Sequence, residues 1–231
     1  MEVKFNKAFY KMLFKYNIKL FFFIGKILQN QKKNINNTNY FKKLAPSMNK
    51  TMKTHIKLIG EIPDSQNFII YSNHRGLYDP IVFYTLLDNK DFSFVIKNVL
   101  QNKFMDKIVQ TTNSKYFSQN PRQDNEKISE ILDSNTNMII FPEGCRSHTD
   151  QLNDFKAGAF KIAMKSGKNI LPVVITNTEN IWDSGCHGSK EIFVKFLEPI
   201  TAEEYDNKTS KEIANELKSK MQDVYMTLKN M

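Results

Sequence analysis

The chain has 231 residues, an ordinary hydrophobic content of 41% and a formal net charge of +9. This length and composition exclude a disordered protein and predict one folded domain with appendages. The only two cysteines, Cys145 and Cys186, provide no disulfide framework and are typical of a reducing compartment.

The positive charge is concentrated at the start of the chain. Residues 1–57 contain 13 lysines and one acidic residue, a formal charge of +12, whereas the remainder carries −3. A localised basic segment favours binding to an anionic surface, either lipid or nucleic acid.

Residues 3–28 are predicted to form one amphipathic helix. Its lysines share one face, and phenylalanine, isoleucine and leucine fill much of the rest. This pattern is typical of a helix that lies in a membrane interface, and the alternative is a helix docked on the domain with a solvated lysine face. The longest apolar run, residues 20–25, is far shorter than the ~20 residues that span a bilayer, and we expect no signal peptide.

The rest of the chain alternates between predicted strands and helices. Residues 29–39 are predicted to be a linker or turn and residues 40–52 a second short interfacial element. The folded domain is expected to begin at Ile56. The strands are expected near residues 56–60, 68–72, 92–96, 115–118, 137–141, 170–176 and 191–197. The helices are expected near residues 80–88, 98–109, 123–134, 154–166 and 209–229. Such alternation predicts an α/β fold in which a mostly parallel central sheet is flanked by helices.

The first candidate site follows the strand predicted at residues 68–72. His74 lies in a loop, and Asp79, which precedes Pro80, is expected to open the next helix. An ionised Asp79 would fix the tautomer of His74 and stabilise its protonated form, which prepares a histidine as a general base. The pattern is short and common, so the alternative is a helix cap beside an ordinary loop histidine.

The second candidate site follows the strand predicted at residues 137–141. Gly144 permits a tight turn, and Glu143 would either hold Arg146 in place or accept a hydrogen bond from a substrate hydroxyl. The Arg146 guanidinium is suited to bidentate phosphate binding. The alternative is an ordinary turn with a solvated Glu–Arg pair.

Together the two segments resemble the lysophospholipid acyltransferases, above all those of the 1-acylglycerol-3-phosphate type. Residues 73–79 read Asn-His-Arg-Gly-Leu-Tyr-Asp, similar to the first family motif, Asn-His-x4-Asp. Residues 141–147 read Phe-Pro-Glu-Gly-Cys-Arg-Ser, similar to the third motif, Phe-Pro-Glu-Gly-Thr-Arg-Ser. Residues 155–163 and 170–174 resemble two later family segments, so the resemblance runs from about residue 60 to residue 199.

Two positions depart from the family pattern. Cys145 replaces the usual threonine, which removes a hydroxyl near the expected phosphate site. The second motif, an arginine soon after an apolar strand, is weak because Gln119 occupies its place. The nearest arginine is Arg122, which either has taken over the role or is a surface residue.

The resemblance implies a glycerolipid acyltransferase-like fold with an N-terminal amphipathic membrane-binding helix. Together with the charge and helix patterns above, this predicts a basic amphipathic membrane-binding segment, residues 1–55, and an α/β acyltransferase domain, residues 56–231. It implies that His74 is the catalytic base and Asp79 its partner. The substrate-binding residues that it implies are Glu143, Gly144, Arg146, Ser147, Arg122 and Lys97.

The implied reaction transfers a fatty acyl group from acyl-CoA or acyl carrier protein to the free hydroxyl of a lysophospholipid, above all 1-acylglycerol-3-phosphate, to give phosphatidic acid. The implied partners are this acceptor, the acyl donor and an anionic membrane surface, and no cofactor or metal is expected besides the donor substrate. The expected location is the cytoplasmic face of a membrane, with peripheral or monotopic attachment.

Several alternatives stay open. One alternative is that the acceptor is another lysophospholipid or hydroxyl compound. Another is that Cys145 acts as a nucleophile. In a different class, the cysteine–histidine pairs Cys145/His148 and Cys186/His187 would bind zinc, although adjacent ligands are awkward for tetrahedral coordination. A basic nucleic-acid binder is the third class, against which stands the near absence of arginine.

Overall fold

The computed structural model describes residues 38–64, 67–97, 114–117, 136–179 and 190–231, together with the isolated positions 106, 109, 112 and 181. The predicted helix at residues 3–28 lies outside this part of the chain. The helices predicted at residues 98–109 and 123–134 lie largely or wholly outside it, as do Arg122 and the Cys186/His187 pair.

The described strands form one seven-stranded sheet, and all the predicted strands are confirmed to within two residues at each end. The strands are β1 (Thr54–Ile59), β2 (Ile69–Ser72), β3 (Phe92–Lys97), β4 (Lys115–Phe117), β5 (Asn137–Ile140), β6 (Ile170–Ile175) and β7 (Lys190–Phe196). Their order across the sheet is β1-β7-β6-β2-β5-β3-β4. Neighbours run parallel except β6 and β7, so the predicted mostly parallel sheet is confirmed.

The three central strands are short, almost continuous apolar runs. Every residue of β2, β5 and β6 is buried, because helices cover both faces of a parallel sheet. Asn137 is the polar exception in β5, and its amide is satisfied: Oδ1 accepts from Phe68 N at 2.9 Å and Nδ2 donates to Asp91 O at 3.1 Å.

The described helices lie in two layers on the sheet. They are α1 (Thr38–Met52), α2 (Asp79–Leu86), α3 (Ala157–Ser166), α4 (Ala202–Tyr205) and α5 (Ser210–Lys229). The helices predicted at residues 80–88, 154–166 and 209–229 are confirmed, whereas α4 was not predicted. Alternate residues of β2 enter opposite layers: Tyr71 packs with Phe160 of α3 and Leu217 of α5, and Ile70 packs with Phe83 of α2.

Helix α1 packs on the domain, although the sequence favoured an interfacial element at residues 40–52. Ala45 and Met52 are buried in the core layer that contains α2, and the Phe41 ring stacks on Tyr84 with centroids 5.1 Å apart. The folded domain therefore extends to the N-terminal side of Ile56, where we expected it to begin. No helix within the described residues combines the length and apolar character needed to cross a membrane.

Candidate active site

The candidate site lies where three neighbouring parallel strands end. The order β6-β2-β5 places β2 in the middle, and both neighbours run parallel to it. The loops that follow these strands carry His74, Glu143 and Thr178. Because the carboxyl ends of parallel strands share one edge of the sheet, residues far apart in sequence meet there.

His74 and Asp79 form the predicted pair. His74 Nδ1 lies 2.6 Å from Asp79 Oδ2, and the aspartate side chain is fully buried while the histidine side chain is 21% exposed. Asp79 is the first residue of α2, and its carboxylate folds back to accept from the backbone N–H groups of Arg75, at 2.8 Å, and Gly76, at 3.1 Å. The predicted contact between carboxylate and imidazole is confirmed.

These contacts prepare His74 to accept a proton. An ionised carboxylate only accepts hydrogen bonds, so Nδ1 carries a proton and Nε2 is the ring nitrogen that would act on a substrate. The Phe141 ring stacks on the imidazole with centroids 4.4 Å apart and planes inclined by 23°. The imidazole is therefore oriented through its edge by Asp79 and through its face by Phe141.

Glu143 holds the backbone of the His74 loop. Its Oε1 accepts from His74 N at 2.7 Å, its Oε2 accepts from Asn153 N at 2.8 Å, and the residue is 1% exposed. Burial raises the pKa of the Glu143 carboxyl, and the two backbone hydrogen bonds act against that rise. We predicted that Glu143 binds Arg146 or a substrate hydroxyl, but these contacts favour a role in shaping the loop.

Gly144 shapes the turn of the second motif segment, and Ser147 joins that segment to the His74 loop. Gly144 has a φ of +71°, which favours glycine, and its N–H donates to Phe141 O at 3.0 Å. Ser147 is 1% exposed; its N–H donates to His74 O at 2.9 Å and its hydroxyl donates to Gln151 O at 2.6 Å. Both were predicted to bind substrate, whereas these contacts lie within the protein and fix the loop.

The residues predicted to bind phosphate are only partly described. Arg146 is half-buried, and the neighbouring Cys145 is exposed with its Sγ 3.8 Å from Asn153 Nδ2. Lys97 is the last residue of β3, which lies on the far side of β5 from β2. Arg122 lies outside the described residues. Phosphate binding by Arg146, Arg122 and Lys97 therefore stays a prediction.

Two residues of the site received no role from the sequence. Asn73 is fully buried, and its side-chain amide donates to Ile175 O at 2.9 Å and accepts from Ile175 N at 2.8 Å. It thereby fixes the loop after β2 to the end of β6. Its position directly before His74 in the first motif was a usable signal. The second residue, Thr178, hydrogen-bonds to Asp79 and follows β6 in a segment without such a signal.

Arg75, the residue after His74, connects the loop to the C-terminal helix α5. Its guanidinium donates to Thr149 O and lies 3.4 Å from Glu179 Oε1, with its central carbon 5.1 Å from the centre of the Tyr225 ring. Lys229, in the last turn of α5, reaches the same Glu179 oxygen at 3.1 Å. The buried Arg75 side chain therefore links the His74 loop to the C-terminal helix α5.

The zinc alternative requires a cluster of metal-binding side chains. Among the described residues, no group of three or more histidine, cysteine, aspartate or glutamate side chains is placed to hold a metal ion. Cys145 and His148 belong to this part, whereas Cys186 and His187 do not.

Replacing Glu143 with glutamine is expected to lower both activity and stability. A glutamine has one accepting oxygen, so its NH2 group would face the N–H of either His74 or Asn153. An unpaired buried N–H typically costs about 1–3 kcal/mol. We expect kcat for the acyl transfer that the family resemblance implies to fall together with the midpoint of thermal unfolding. Steady-state kinetics and calorimetry would measure the two quantities. Glu198→Gln, at an exposed carboxylate, is the matched control. Wild-type behaviour of Glu143→Gln would contradict the proposed role of Glu143.

Comparison with a family model and with known sequences shows similarity to acyltransferases. The family model described as Acyltransferase matches residues 53–176. A 1-acyl-sn-glycerol-3-phosphate acyltransferase of Salmonella typhimurium is 25% identical over 187 residues, which cover 79% of this chain and 76% of that protein. A chloroplastic 1-acyl-sn-glycerol-3-phosphate acyltransferase of Arabidopsis thaliana is 30% identical over 146 residues, which cover 59% of this chain and 39% of that protein.

The fold is shared with a solved structure. The crystal structure of the 1-acyl-sn-glycerophosphate acyltransferase from Thermotoga maritima matches with a TM-score of 0.74 at 22% sequence identity. The match covers 97% of this chain and 94% of that chain. It confirms the predicted α/β fold with a mostly parallel sheet flanked by helices.

Proposed function

Because this chain belongs to the acyltransferase family, we propose that it transfers a fatty acyl group from an acyl thioester to the free hydroxyl of 1-acylglycerol-3-phosphate, giving phosphatidic acid. The Salmonella and Escherichia coli relatives, each 25% identical over 187 residues, are named for acylation of this acceptor. The observation that carries the proposal is the buried Asp79 carboxylate 2.6 Å from His74 Nδ1, at the edge where three parallel strands end.

The proposed mechanism is direct transfer with His74 as the base. Nε2 removes the proton from the acceptor hydroxyl as the oxygen attacks the thioester carbonyl, and the imidazolium that forms is stabilised by the Asp79 carboxylate. The tetrahedral intermediate collapses, the C–S bond breaks, and the leaving thiolate takes the proton from His74. One ester bond replaces one thioester bond, so the reaction balances without an acyl-enzyme and without Cys145 as a nucleophile.

The acceptor phosphate needs a fixed cation, and we assign this role to Arg146. A lysophosphatidate headgroup carries one to two negative charges, and a half-buried guanidinium holds such a group through two parallel hydrogen bonds. Arg122 and Lys97 are the further candidates that the family resemblance suggests for the same headgroup.

Arg146→Lys is expected to weaken acceptor binding although the positive charge is kept. An ammonium group cannot reproduce the planar, bidentate contact. Loss of a charge-assisted hydrogen bond typically costs about 1.5–3 kcal/mol, which corresponds to a roughly ten- to hundredfold rise in the acceptor KM. Steady-state kinetics with each substrate varied in turn would measure it.

The acyl-donor KM should stay close to the wild-type value, and Lys161→Ala on the exposed surface of α3 controls for general loss of positive charge. A defect confined to the donor KM would move Arg146 to the acyl-donor site, and Arg122 and Lys97 would then become the candidates for the phosphate.

The direct test of the function is an assay of the purified full chain. Lysophosphatidic acid is supplied with acyl-CoA in one reaction and with acyl carrier protein thioester in another, and the products are read by lipid mass spectrometry. Phosphatidic acid is the expected product. If only another lysophospholipid, or an acceptor without phosphate, is acylated, the proposed acceptor is wrong while the acyltransferase class stands.

We also propose that the basic segment brings the enzyme to the cytoplasmic face of a membrane, where its acceptor resides. The support is the lysine face and the many phenylalanines predicted for the helix at residues 3–28. Each lysine near anionic lipid contributes at most about 1 kcal/mol, and the apolar residues add insertion into the interface.

Deletion of residues 1–28 is therefore expected to release the protein from anionic vesicles in a flotation assay. Binding of the full chain should weaken at high salt but persist, because salt screens the lysines and leaves the apolar contacts. Unchanged flotation after the deletion would place the membrane contact elsewhere in the chain, and stronger binding to an oligonucleotide than to vesicles would favour the nucleic-acid alternative.

A further inference from the structure

The buried Asp79 carboxylate has two oxygens with different kinds of partner. Oδ2 accepts from His74 Nδ1, Arg75 N and Gly76 N, all within the same short loop. Oδ1 accepts a hydrogen bond from the hydroxyl of Thr178, which lies 99 residues further along the chain. Asp79 is fully buried and Thr178 is 1% exposed, so this hydrogen bond is shielded from water.

We propose that Thr178 is a positioning residue for the reaction: its hydroxyl fixes the plane of the Asp79 carboxylate and thereby the direction of the His74 imidazole. The three donors at Oδ2 lie within five residues of Asp79 in the sequence and belong to the loop that leads into α2. Thr178 instead follows β6, a central strand that is buried along its whole length and pairs with β2. An ionised carboxylate cannot donate, so the Thr178 hydroxyl is the donor.

A second contact places the same residue against the loop. The Thr178 carbonyl lies so close to Gly76 that a Cβ at position 76 would overlap it. The loop after β2 is therefore pressed against the backbone of Thr178 while the Thr178 hydroxyl holds Asp79. Asn73, bonded to both backbone groups of Ile175, attaches the start of this loop to the same strand. The chain at the end of β6 and just after it therefore holds both the start of the loop, through Asn73, and the Asp79 carboxylate, through Thr178.

The test compares Thr178→Val with two matched variants, and its kinetic part rests on the proposed function. Valine keeps the shape of threonine and removes only the hydroxyl, whereas Thr178→Ser keeps the hydroxyl. Thr176→Val is the control, because Thr176 directly follows β6, is also fully buried, and its hydroxyl has no hydrogen-bond partner among the described residues. We expect Thr178→Val to lower kcat about ten- to a hundredfold with little change in either KM.

Thr178→Ser is expected to recover most of the lost kcat, and Thr176→Val should turn over like the wild type. A wild-type kcat in Thr178→Val, an equal loss in both valine variants, or no recovery in Thr178→Ser would each overturn the proposal. Should Thr178→Val fail to fold, Thr178→Ala replaces it, and equal kcat values for the alanine and serine variants would overturn the proposal.

A readout that needs no substrate separates this inference from the proposed function. The Nδ1 proton of His74, held at 2.6 Å from the carboxylate, should give a downfield proton NMR signal that disappears in His74→Ala. Thr178→Val should shift or broaden this signal, while Thr178→Ser and Thr176→Val should retain it. An unaltered signal in Thr178→Val would overturn the positioning role even if no acceptor were turned over, whereas an altered signal without any acyl transfer by the wild type would count only against the proposed reaction.

Discussion

Replacing His74 with alanine is expected to remove almost all acyl transfer while the protein stays folded. A positioned general base typically contributes about 10²–10⁴-fold to the rate, and His74 is the residue of the first motif that can act as a base near neutral pH. The loss should appear in kcat under saturation with both substrates, because the imidazole acts on the hydroxyl only after the acceptor is bound.

The fold should survive because the side chain is not part of the main core. The His74 loop is also fixed through its backbone, whose N–H donates to Glu143 and whose carbonyl accepts from Ser147. Circular dichroism and thermal unfolding would verify this. His55→Ala, at an exposed histidine of β1, is the control and should retain full activity. Wild-type turnover by folded His74→Ala would remove His74 from the mechanism.

The central strands and the contact between His74 and Asp79 could be predicted because both are local features. β2 and β6 are short apolar runs, and such a run is the sequence signature of a strand buried on both faces. His74 and Asp79 are five residues apart, so one loop and the start of a helix bring them together. The same holds for α5, where Ile213, Leu217 and Met221 recur at helical spacing and lie on the buried face.

The neighbours of the pair could not be predicted because they depend on the order of the strands. No pattern in the sequence states that β6 lies beside β2, and this placement brings Thr178 to Asp79 and Asn73 to Ile175. Tyr225 of α5 is fully buried as well, and the Arg75 guanidinium lies over its ring, a contact that no local pattern in the sequence indicates.

The role of Glu143 shows a different limit. A glutamate in a turn after a strand can face a substrate, a neighbouring arginine or the backbone, and the local sequence is the same in each case. The structure selects the backbone, because the loops after β2 and β5 lie side by side and leave the N–H groups of His74 and Asn153 directed at one carboxylate. Long-range packing therefore decides between roles that the motif alone leaves open.

Asp79→Asn is expected to lower kcat by about a hundredfold or more while it preserves the fold, because this substitution removes the charge and keeps the hydrogen bonds. An asparagine oxygen in the place of Oδ2 would still accept from Arg75 N, Gly76 N and the imidazole. Its NH2 group in the place of Oδ1 would donate to Thr178, whose hydroxyl can accept as well as donate. The imidazolium formed during catalysis would lose its counter-charge, so the barrier should rise.

Asp79→Ala separates the charge from the hydrogen bonds. Alanine leaves several buried donors unpaired, each at a cost of about 1–3 kcal/mol, so its thermal midpoint should fall well below that of Asp79→Asn. Calorimetry on both variants, with kcat measured at saturating acceptor and donor, would test this ordering. If Asp79→Asn turned over like the wild type, the negative charge would be dispensable and Asp79 would serve only to orient the imidazole. Asp79→Asn could instead be as unstable as Asp79→Ala. The Thr178 hydroxyl would then be unable to change from hydrogen-bond donor to acceptor, and the loss of activity would reflect a disordered loop rather than the missing charge.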